Sequence, residues 1–256
     1  MGTGTGVCQT DSVETVDFGL DNSCAVSSAN KDSLTLRKQL KLQGVEALFF
    51  DCDDTLYPSS CKVSEQVRKN IQLYMKEKLQ IPDDKVLDLQ HSLFVEYGTT
   101  LRGLQELYAI DPYEYWSYIH WSLDYESLIK KDSSLRNILH SLPFRKFVFT
   151  NADKIHAQKC LQALDIPEET FEKIIDVVAV GFKNKPDPNS FLTALKIANV
   201  DNPSKALLFD DSVVNLQAAK NMGWHVVAVG NSSVDAKDFC DAWIPSIHHV
   251  PCILSK

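Results

Sequence analysis

The sequence predicts an α/β fold, in which a doubly wound parallel sheet carries an inserted all-helical domain. From Val45 onward, short apolar runs alternate with segments of helical periodicity, as in parallel strands that are joined by helices. The first and second runs are separated by about ninety residues without a strand signal. With 256 residues, of which 44% are hydrophobic, the chain is long enough for this core and a smaller insertion.

The strands and helices of the core can be predicted in chain order. Apolar runs predict five strands, over residues 45–51, 146–150, 174–178, 206–210 and 225–229. Helical periodicity predicts three connecting helices, over residues 154–164, 188–198 and 212–222. Gly223 then provides the residue at which the last of these helices stops.

The insertion after the first strand is helical and rich in aromatic residues. Val63, Val67, Ile71 and Tyr74 have the spacing of one helix face, and all eight tyrosines lie within residues 57–125. These rings either form the core of a helical cap or stack on a bound base, and both interpretations stay open. We therefore predict a cap over residues 58–135 and a catalytic core made of residues 43–57 and 136–256.

The first 42 residues differ in composition from the rest of the chain. Residues 1–42 are rich in Gly, Ser, Thr, Asp and Asn and have no sustained apolar period, which predicts a flexible leader. The alternative is that residues 13–20 or 34–42 dock on the domain. In neither case do we expect the leader to supply catalytic groups.

Charge and cysteine content limit the partners and the compartment. The net charge of −8 and the pI of about 5.3 argue against a nucleic-acid partner. The seven cysteines are scattered without C-x-x-C spacing, so we expect a reducing, cytoplasmic location and leave a nuclear presence open. No apolar run approaches the roughly 18 residues of a membrane span, and we expect no membrane partner.

Polar residues directly follow several of the predicted strands. In an open parallel sheet, the reactive groups collect in this place, beyond the carboxyl ends of the strands. Asp51 and Asp53 follow the first strand, and Asp51, Asp53 and Asp54 would repel one another without a cation. Because these ligands are oxygens alone, with no His or Cys positioned to complete a zinc shell, we predict a magnesium site. Its predicted ligands are Asp51, Asp53, Asp210 and Asp211, with Asp211 favoured as a direct ligand and Asp210 as a supporting one.

These groups suit the hydrolysis of a phosphate monoester. Asp51 would attack phosphorus, and Asp53 would protonate the leaving oxygen and then activate water. Thr150 and the amide of Asn151 would bind phosphoryl oxygens after the second strand. Lys185 would bind phosphate and balance the negative charge of the transition state.

Four segments resemble the motifs of the haloacid dehalogenase superfamily: 51–56, Thr150-Asn151, Lys185-Pro186 and 210–215. Within it, Asp-Asp-Thr-Leu-Tyr-Pro at 53–58 and the stretch 97–104 resemble the pyrimidine 5′-nucleotidase group of fungi and plants. The resemblance implies a Rossmann-like core, a cap inserted after the first strand, Mg²⁺ dependence and a small phosphorylated metabolite as substrate. Nucleoside monophosphates such as UMP or CMP are the substrates it implies.

Within the cap, we hypothesise that Tyr97, Thr99, Thr100 and Arg102 approach the nucleoside. The alternative is that Gly98 ends one cap helix and Thr99 caps the next, and the two interpretations are compatible.

Two other functions of the whole protein stay open. The protein could be a phosphatase for a sugar phosphate, flavin mononucleotide or pyridoxal phosphate, or a regulatory protein that keeps the fold without turnover.

Overall fold

A computed structural model describes Met1 and residues 44–230 and 238–254 of the chain. The leader predicted over residues 1–42, apart from Met1, lies outside the described residues, as does its predicted docking through 13–20 or 34–42. Among the described residues, no helix is both long and apolar enough to cross a membrane.

Six parallel strands form one sheet in the order β3-β2-β1-β4-β5-β6. This sheet confirms the predicted doubly wound α/β fold. The sixth strand was not predicted, because it contains three residues only and has no long apolar run. The strands are β1 Ala47–Phe50, β2 Arg145–Phe149, β3 Lys173–Ile175, β4 Ala206–Asp210, β5 His225–Val229 and β6 Ala242–Ile244.

The central strand β1 is buried on both faces, which explains its continuous apolar sequence. Phe49 packs on one face with Phe147 and Trp224, while Phe50 packs on the other against Phe209. Burying a phenylalanine of this kind contributes on the order of 1.5–3 kcal/mol. Because β1 lies between β2 and β4, the residues that follow these three strands meet at one edge of the sheet.

Helices fill the segment between β1 and β2, as predicted for the insertion. Four of them and a π-helical turn at Ser117–Trp121 share one apolar cluster, which includes Tyr74, Met75, Leu104 and Trp116. Tyr74, Tyr115 and Trp116 therefore belong to the cap core. The helices are α1 Val63–Glu77, α2 Asp83–Tyr97, α3 Thr100–Leu107, α4 Pro112–Trp116 and α5 Tyr125–Leu128.

The end of the insertion packs on the sheet instead. Leu123, Tyr125, Ile129 and Leu135 belong to the apolar cluster that covers one sheet face. The predicted domain boundaries stay a prediction, and this packing favours a cap that ends closer to Trp121 than to residue 135.

The remaining helices flank the sheet or close the chain. Helix α7 begins where Asp153 accepts a hydrogen bond from the backbone of His156, and α8 begins in the same way at Asp187, with Pro188 in its first turn. Gly223 follows the last of the predicted helices, with a φ of 87°. The helices are α6 Ser133–Ser141, α7 Lys154–Ala163, α8 Pro188–Ile197, α9 Val213–Asn221 and α10 Val250–Ile253.

Candidate active site

The site lies at the carboxyl edge of the sheet and is centred on the buried side chain of Lys185. Its ammonium group donates to Asp51 Oδ1 at 2.9 Å, to Asp210 Oδ2 at 2.7 Å and to the Phe149 carbonyl at 2.7 Å. Burial alone would lower the pKa of Lys185, but Asp210 and Asp51 outweigh it and raise the pKa above its usual value. Lys185 is therefore a fixed cation shared by the ends of β1 and β4.

The loop that carries Lys185 is tied to the end of β2. Asn151 accepts a hydrogen bond from the Lys185 backbone N–H at 2.8 Å and donates to its carbonyl at 2.8 Å. Thr150 is buried, and its hydroxyl oxygen accepts from the Ala152 N–H at 3.0 Å, which leaves its proton available to a ligand. The Asn151 side chain thus holds the loop in place, so the phosphate-binding group predicted for Asn151 has to be its backbone amide.

Three carboxylates at this edge form an oxygen-rich group. Oxygens of Asp51, Asp210 and Asp211 lie within 4.8 Å of one another. Burial raises the pKa of Asp51 well above its usual value, with further increases from Asp210 and Asp211 that Lys185 only partly opposes. Burial and the charges of Asp210 and Asp54 raise the pKa of Asp211 to about 7. An excess of buried negative charge with oxygen donors alone fits a divalent cation such as Mg²⁺.

The two consecutive acids after β4 differ in their surroundings. Asp210 is fully buried, and besides Lys185 it accepts from the Ser212 N–H at 2.8 Å and from Asn215 at 3.2 Å. Asp211 is half-buried, lines the cavity and has the Thr55 hydroxyl at 3.5 Å. This contrast agrees with Asp211 as a direct ligand and Asp210 as a supporting one, which stays a prediction.

Asp53 stands apart from that carboxylate group in the described residues. Its Oδ1 accepts from the Tyr57 hydroxyl at 2.5 Å and pairs with His156 Nε2 at 2.7 Å. Burial would raise the pKa of Asp53, but His156 and Tyr57 outweigh burial and hold the pKa well below its usual range. The metal contact predicted for Asp53 stays a prediction, and its side chain lines the cavity beside the carboxylate group.

Sequence reasoning missed the partners of Asp53. His156 is 1% exposed, and its Nδ1 lies 2.7 Å from the Tyr125 hydroxyl, which also donates to the His120 carbonyl at 3.1 Å. Burial would lower the pKa of His156, but the Asp53 carboxylate raises it well above its usual value. The only sequence signal for His156 was its place in the first turn of the helix that follows β2.

A cavity of about 650 Å³ opens between the site and the cap. Asp51, Asp53, Thr150, Asn151 and Asp211 line its floor at the sheet edge. Large apolar side chains line its cap side, and these were not predicted from the sequence; they include Ile71, Leu87, Phe94, Val95, Trp116 and Phe182. The cavity is therefore acidic at its floor, and its cap side combines these apolar side chains with polar ones such as Arg68, His91 and Arg102.

Three of the four predicted cap residues line this cavity, namely Thr99, Thr100 and Arg102. Tyr97 is not among the lining residues; its ring packs with the cap cluster and its carbonyl accepts from Asn184 at 3.1 Å. The local interpretation of this stretch is confirmed. Gly98 ends α2, and the Thr99 side chain accepts from the Arg102 N–H at 3.2 Å and caps α3.

Residues 45–223 match the haloacid dehalogenase-like hydrolases, so the chain belongs to this family of hydrolases. It is similar to phosphate metabolism protein 8 of Saccharomyces cerevisiae, with 31% identity over 71% of this chain, and it spans 61% of that relative's length. The glyceraldehyde 3-phosphate phosphatase of Pyrococcus abyssi is 26% identical over 72% of this chain and 80% of its own.

A solved structure gives the same fold. A haloacid dehalogenase-like protein of unknown function from Agrobacterium tumefaciens aligns over 83% of this chain and 98% of its own, with a TM-score of 0.56. At 16% identity, this likeness concerns the fold alone. The family match and the fold together define the chain as a hydrolase of the haloacid dehalogenase type, and two of its relatives are named as phosphatases.

Proposed function

We propose that the protein is a Mg²⁺-dependent phosphomonoesterase that forms an aspartyl-phosphate on Asp51. The observation that carries this proposal is Asp51 at the cavity floor, held by Lys185 beside the carboxylates of Asp210 and Asp211. Asp51, Asp211 and, in support, Asp210 would hold Mg²⁺, which when bound neutralises negative charge on the substrate phosphate and the carboxylates.

The reaction has two displacements at phosphorus. In the first, a carboxylate oxygen of Asp51 bonds to phosphorus, the bond to the substrate oxygen breaks, and Asp53 gives that oxygen a proton. In the second, water attacks the phosphoryl group and loses a proton to Asp53, which releases inorganic phosphate and free Asp51. A bound phosphate dianion near Asp53 favours the protonated carboxyl that the first displacement needs, because like charges repel.

Lys185 and Thr150 provide the polar surroundings of the phosphoryl group. The Lys185 cation faces the same edge as Asp51 and compensates negative charge that develops on the transferring group. The free proton of the Thr150 hydroxyl and the backbone N–H of Asn151 would donate to phosphoryl oxygens. These contacts are made by fixed, buried groups, which need little reorganisation during the reaction.

The substrate we propose is a pyrimidine nucleoside 5′-monophosphate such as UMP or CMP. The cavity supports it, since a metal-binding floor suits the phosphate and the apolar side chains on the cap side, such as Phe94 and Trp116, suit a planar base. Thr99, Thr100 and Arg102 lie on the cap side within reach of polar ligand atoms. A sugar phosphate is the second candidate, which is supported by the activities named for the Pyrococcus abyssi relative and for a Thermotoga maritima phosphatase of phosphorylated carbohydrates.

A phosphate-release screen with Mg²⁺ over nucleotides, sugar phosphates, flavin mononucleotide and pyridoxal phosphate tests the proposal. We expect UMP or CMP to have the highest kcat/KM. The Asp51→Asn protein should give only background release, since the nucleophile is lost. A higher kcat/KM for sugar phosphates would overturn the substrate assignment. Release by Asp51→Asn at the wild-type rate would overturn the mechanism, and no release by the wild type would favour a regulatory protein.

A further inference from the structure

We propose that His156 is a positioning residue for Asp53, which it holds so that one carboxylate oxygen faces the substrate. This inference rests on the proposed function, in which Asp53 transfers the proton. Both hydrogen bonds that Asp53 receives, from His156 and from Tyr57, end on Oδ1. The second oxygen, Oδ2, accepts none from the described residues.

The two members of the Asp53–His156 pair differ in exposure: His156 lies in the protein interior, and Asp53 lies at the cavity wall. The side chain of His156 is 1% exposed, whereas that of Asp53 is 30% exposed and lines the cavity. A pair that served stability alone has no need to place one partner at the cavity wall. With Oδ1 held by two donors, the carboxylate is restrained, and Oδ2 is the oxygen left free to face the cavity.

His156 is itself held on both sides of its ring. Its Nδ1 is hydrogen-bonded to Tyr125, and its ring lies against that of His120 at a tilt of 35°, with 4.3 Å between centroids. Asp153 fixes both histidines, because it accepts from the His156 backbone N–H at 3.1 Å and pairs with His120 Nδ1 at 2.6 Å. The Nε2 atom of His156, which pairs with Asp53, also lies 3.6 Å from the sulfur of Cys160. The ring orientation is thus set before any substrate binds.

This placement matters because proton transfer requires the donor within hydrogen-bond reach of the leaving oxygen. General acid catalysis contributes typically ~10²–10⁴-fold, and a loosely held carboxyl forfeits part of that gain. The effect depends on the leaving group. An alkoxide leaving from a nucleotide needs the proton, whereas p-nitrophenolate leaves without one.

The test compares kcat/KM of wild type, His156→Phe and His156→Gln on two substrates. These are p-nitrophenyl phosphate and the alkyl phosphate that the wild type hydrolyses best. For His156→Phe, which keeps the ring but removes the donor, we expect a loss of about 10- to 100-fold on the alkyl phosphate. The loss on p-nitrophenyl phosphate should stay within about threefold. His156→Gln, whose amide can donate to Oδ1, should recover most of the loss.

Two further variants separate positioning from general damage. Leu161 lies on the same helix as His156 and belongs to the apolar cluster that covers one sheet face. Leu161→Ala opens a cavity there, so it should lower Tm without changing the ratio of the two kcat/KM values. Tyr57→Phe removes the second donor to Oδ1 and should change that ratio in the same direction. If the His156→Phe protein does not fold, the Tyr57→Phe protein still tests whether the donors to Oδ1 set this ratio.

The Asp53→Asn and His156→Phe changes should also be combined. If His156 acts through Asp53, the double variant loses no more activity on the alkyl phosphate than Asp53→Asn alone. Equal losses on both substrates, additive losses in the double variant, or a Gln variant no better than Phe would each overturn the inference. Wild type inactive on both substrates would overturn the proposed function and this inference with it, a result distinct from the others.

Discussion

At the scale of single residues, the site is defined by one buried cation among several carboxylates. Lys185 is bonded to Asp51 and Asp210, while Asp211 has no cation bonded to it among the described residues. The pKa of Asp211 is consequently raised to about 7, first by burial and then by Asp210. The metal-free protein therefore takes up a proton that a divalent cation has to displace.

The first prediction concerns the pH dependence of Mg²⁺ binding. Because the pKa of Asp211 is above its usual 3.8, the folded metal-free protein binds more protons than the unfolded chain between about pH 4 and 7. The contribution of Asp211 to the stability of the metal-free protein therefore falls as the pH rises through that window. Mg²⁺ competes with this proton, so its affinity should be about tenfold higher at pH 8 than at pH 6. Thermal unfolding with titrated Mg²⁺ measures the affinity at each pH.

Asp211→Asn is the matched control for this measurement. It removes the titrating group without a change in size, so Mg²⁺ should bind more weakly and with a smaller difference between the two pH values. An affinity for Mg²⁺ that is equal at pH 6 and pH 8 in the wild type would contradict the role given to Asp211.

At the scale of elements, the turn between α2 and α3 brings the cap against the loop that carries Lys185. Gly98 has a φ of +79°, and a Cβ atom there would lie 2.6 Å from Asn184 Nδ2 and 3.0 Å from the Lys185 carbonyl. Asn184 donates to the Tyr97 carbonyl at 3.1 Å and to the Lys185 carbonyl at 3.0 Å. The cap turn thus approaches the Lys185 loop closely enough to require glycine.

The second prediction is that Gly98→Ala lowers activity as well as stability. The backbone conformation is strained for alanine at a cost of about 1 kcal/mol, and the new methyl group pushes against Asn184 and the Lys185 loop. We expect a lower Tm and a fall in kcat on any phosphate substrate. Circular dichroism and steady-state kinetics measure the two effects.

Gly181→Ala separates these effects, because Gly181 has a φ of +65° but no atom within 4 Å of the added Cβ position. It should lower Tm to a similar degree and leave kcat unchanged. If Gly98→Ala affected kcat no more than Gly181→Ala, the cap turn would have no part in placing Lys185.

At the scale of the whole molecule, the cavity joins the carboxylate-lined floor at the sheet edge to the cap, where we propose that the rest of the substrate binds. The two ends are built by different parts of the chain, with Asp51 and Thr150 from the core and Thr100 and Arg102 from the cap. Arg102 pairs with Glu106 at 2.8 Å and is about one third exposed, so it can turn to a ligand without leaving a buried charge unpaired. Substrate selection and chemistry should therefore be separable by mutation.

The third prediction is that Arg102→Gln raises KM for the preferred nucleotide by about tenfold, which corresponds to roughly 1.4 kcal/mol. Its kcat/KM on p-nitrophenyl phosphate, which lacks a nucleoside, should change little. Initial-rate kinetics on both substrates make the comparison. Arg136→Gln breaks a similar exposed pair, with Asp165, away from this cavity and should affect neither substrate. Equal changes on both substrates with Arg102→Gln would refute a role in nucleoside binding.

The sequence by itself determined the sheet and the order of the segments that carry the candidate site. Strands that are buried on both faces have continuous apolar sequences, so β4 and β5 were predicted with their observed bounds. Asp51 and Thr150 follow strand ends, and the carboxyl edge of a parallel sheet brings such residues together. The short strand β6 was missed, because three residues have too little pattern to detect.

Only the tertiary structure decided which side chains pair with one another in the candidate site. His156 lies 103 residues from Asp53 in the chain, and Lys185 lies 134 residues from Asp51. Local spacing carries no information about such pairs, since the strand order and the loops set them. The same holds for Tyr97, which the packing of the cap turned away from the cavity. Hydrogen-bond geometry depends on distances between side chains, and those distances exist only after the sheet and the cap have assembled.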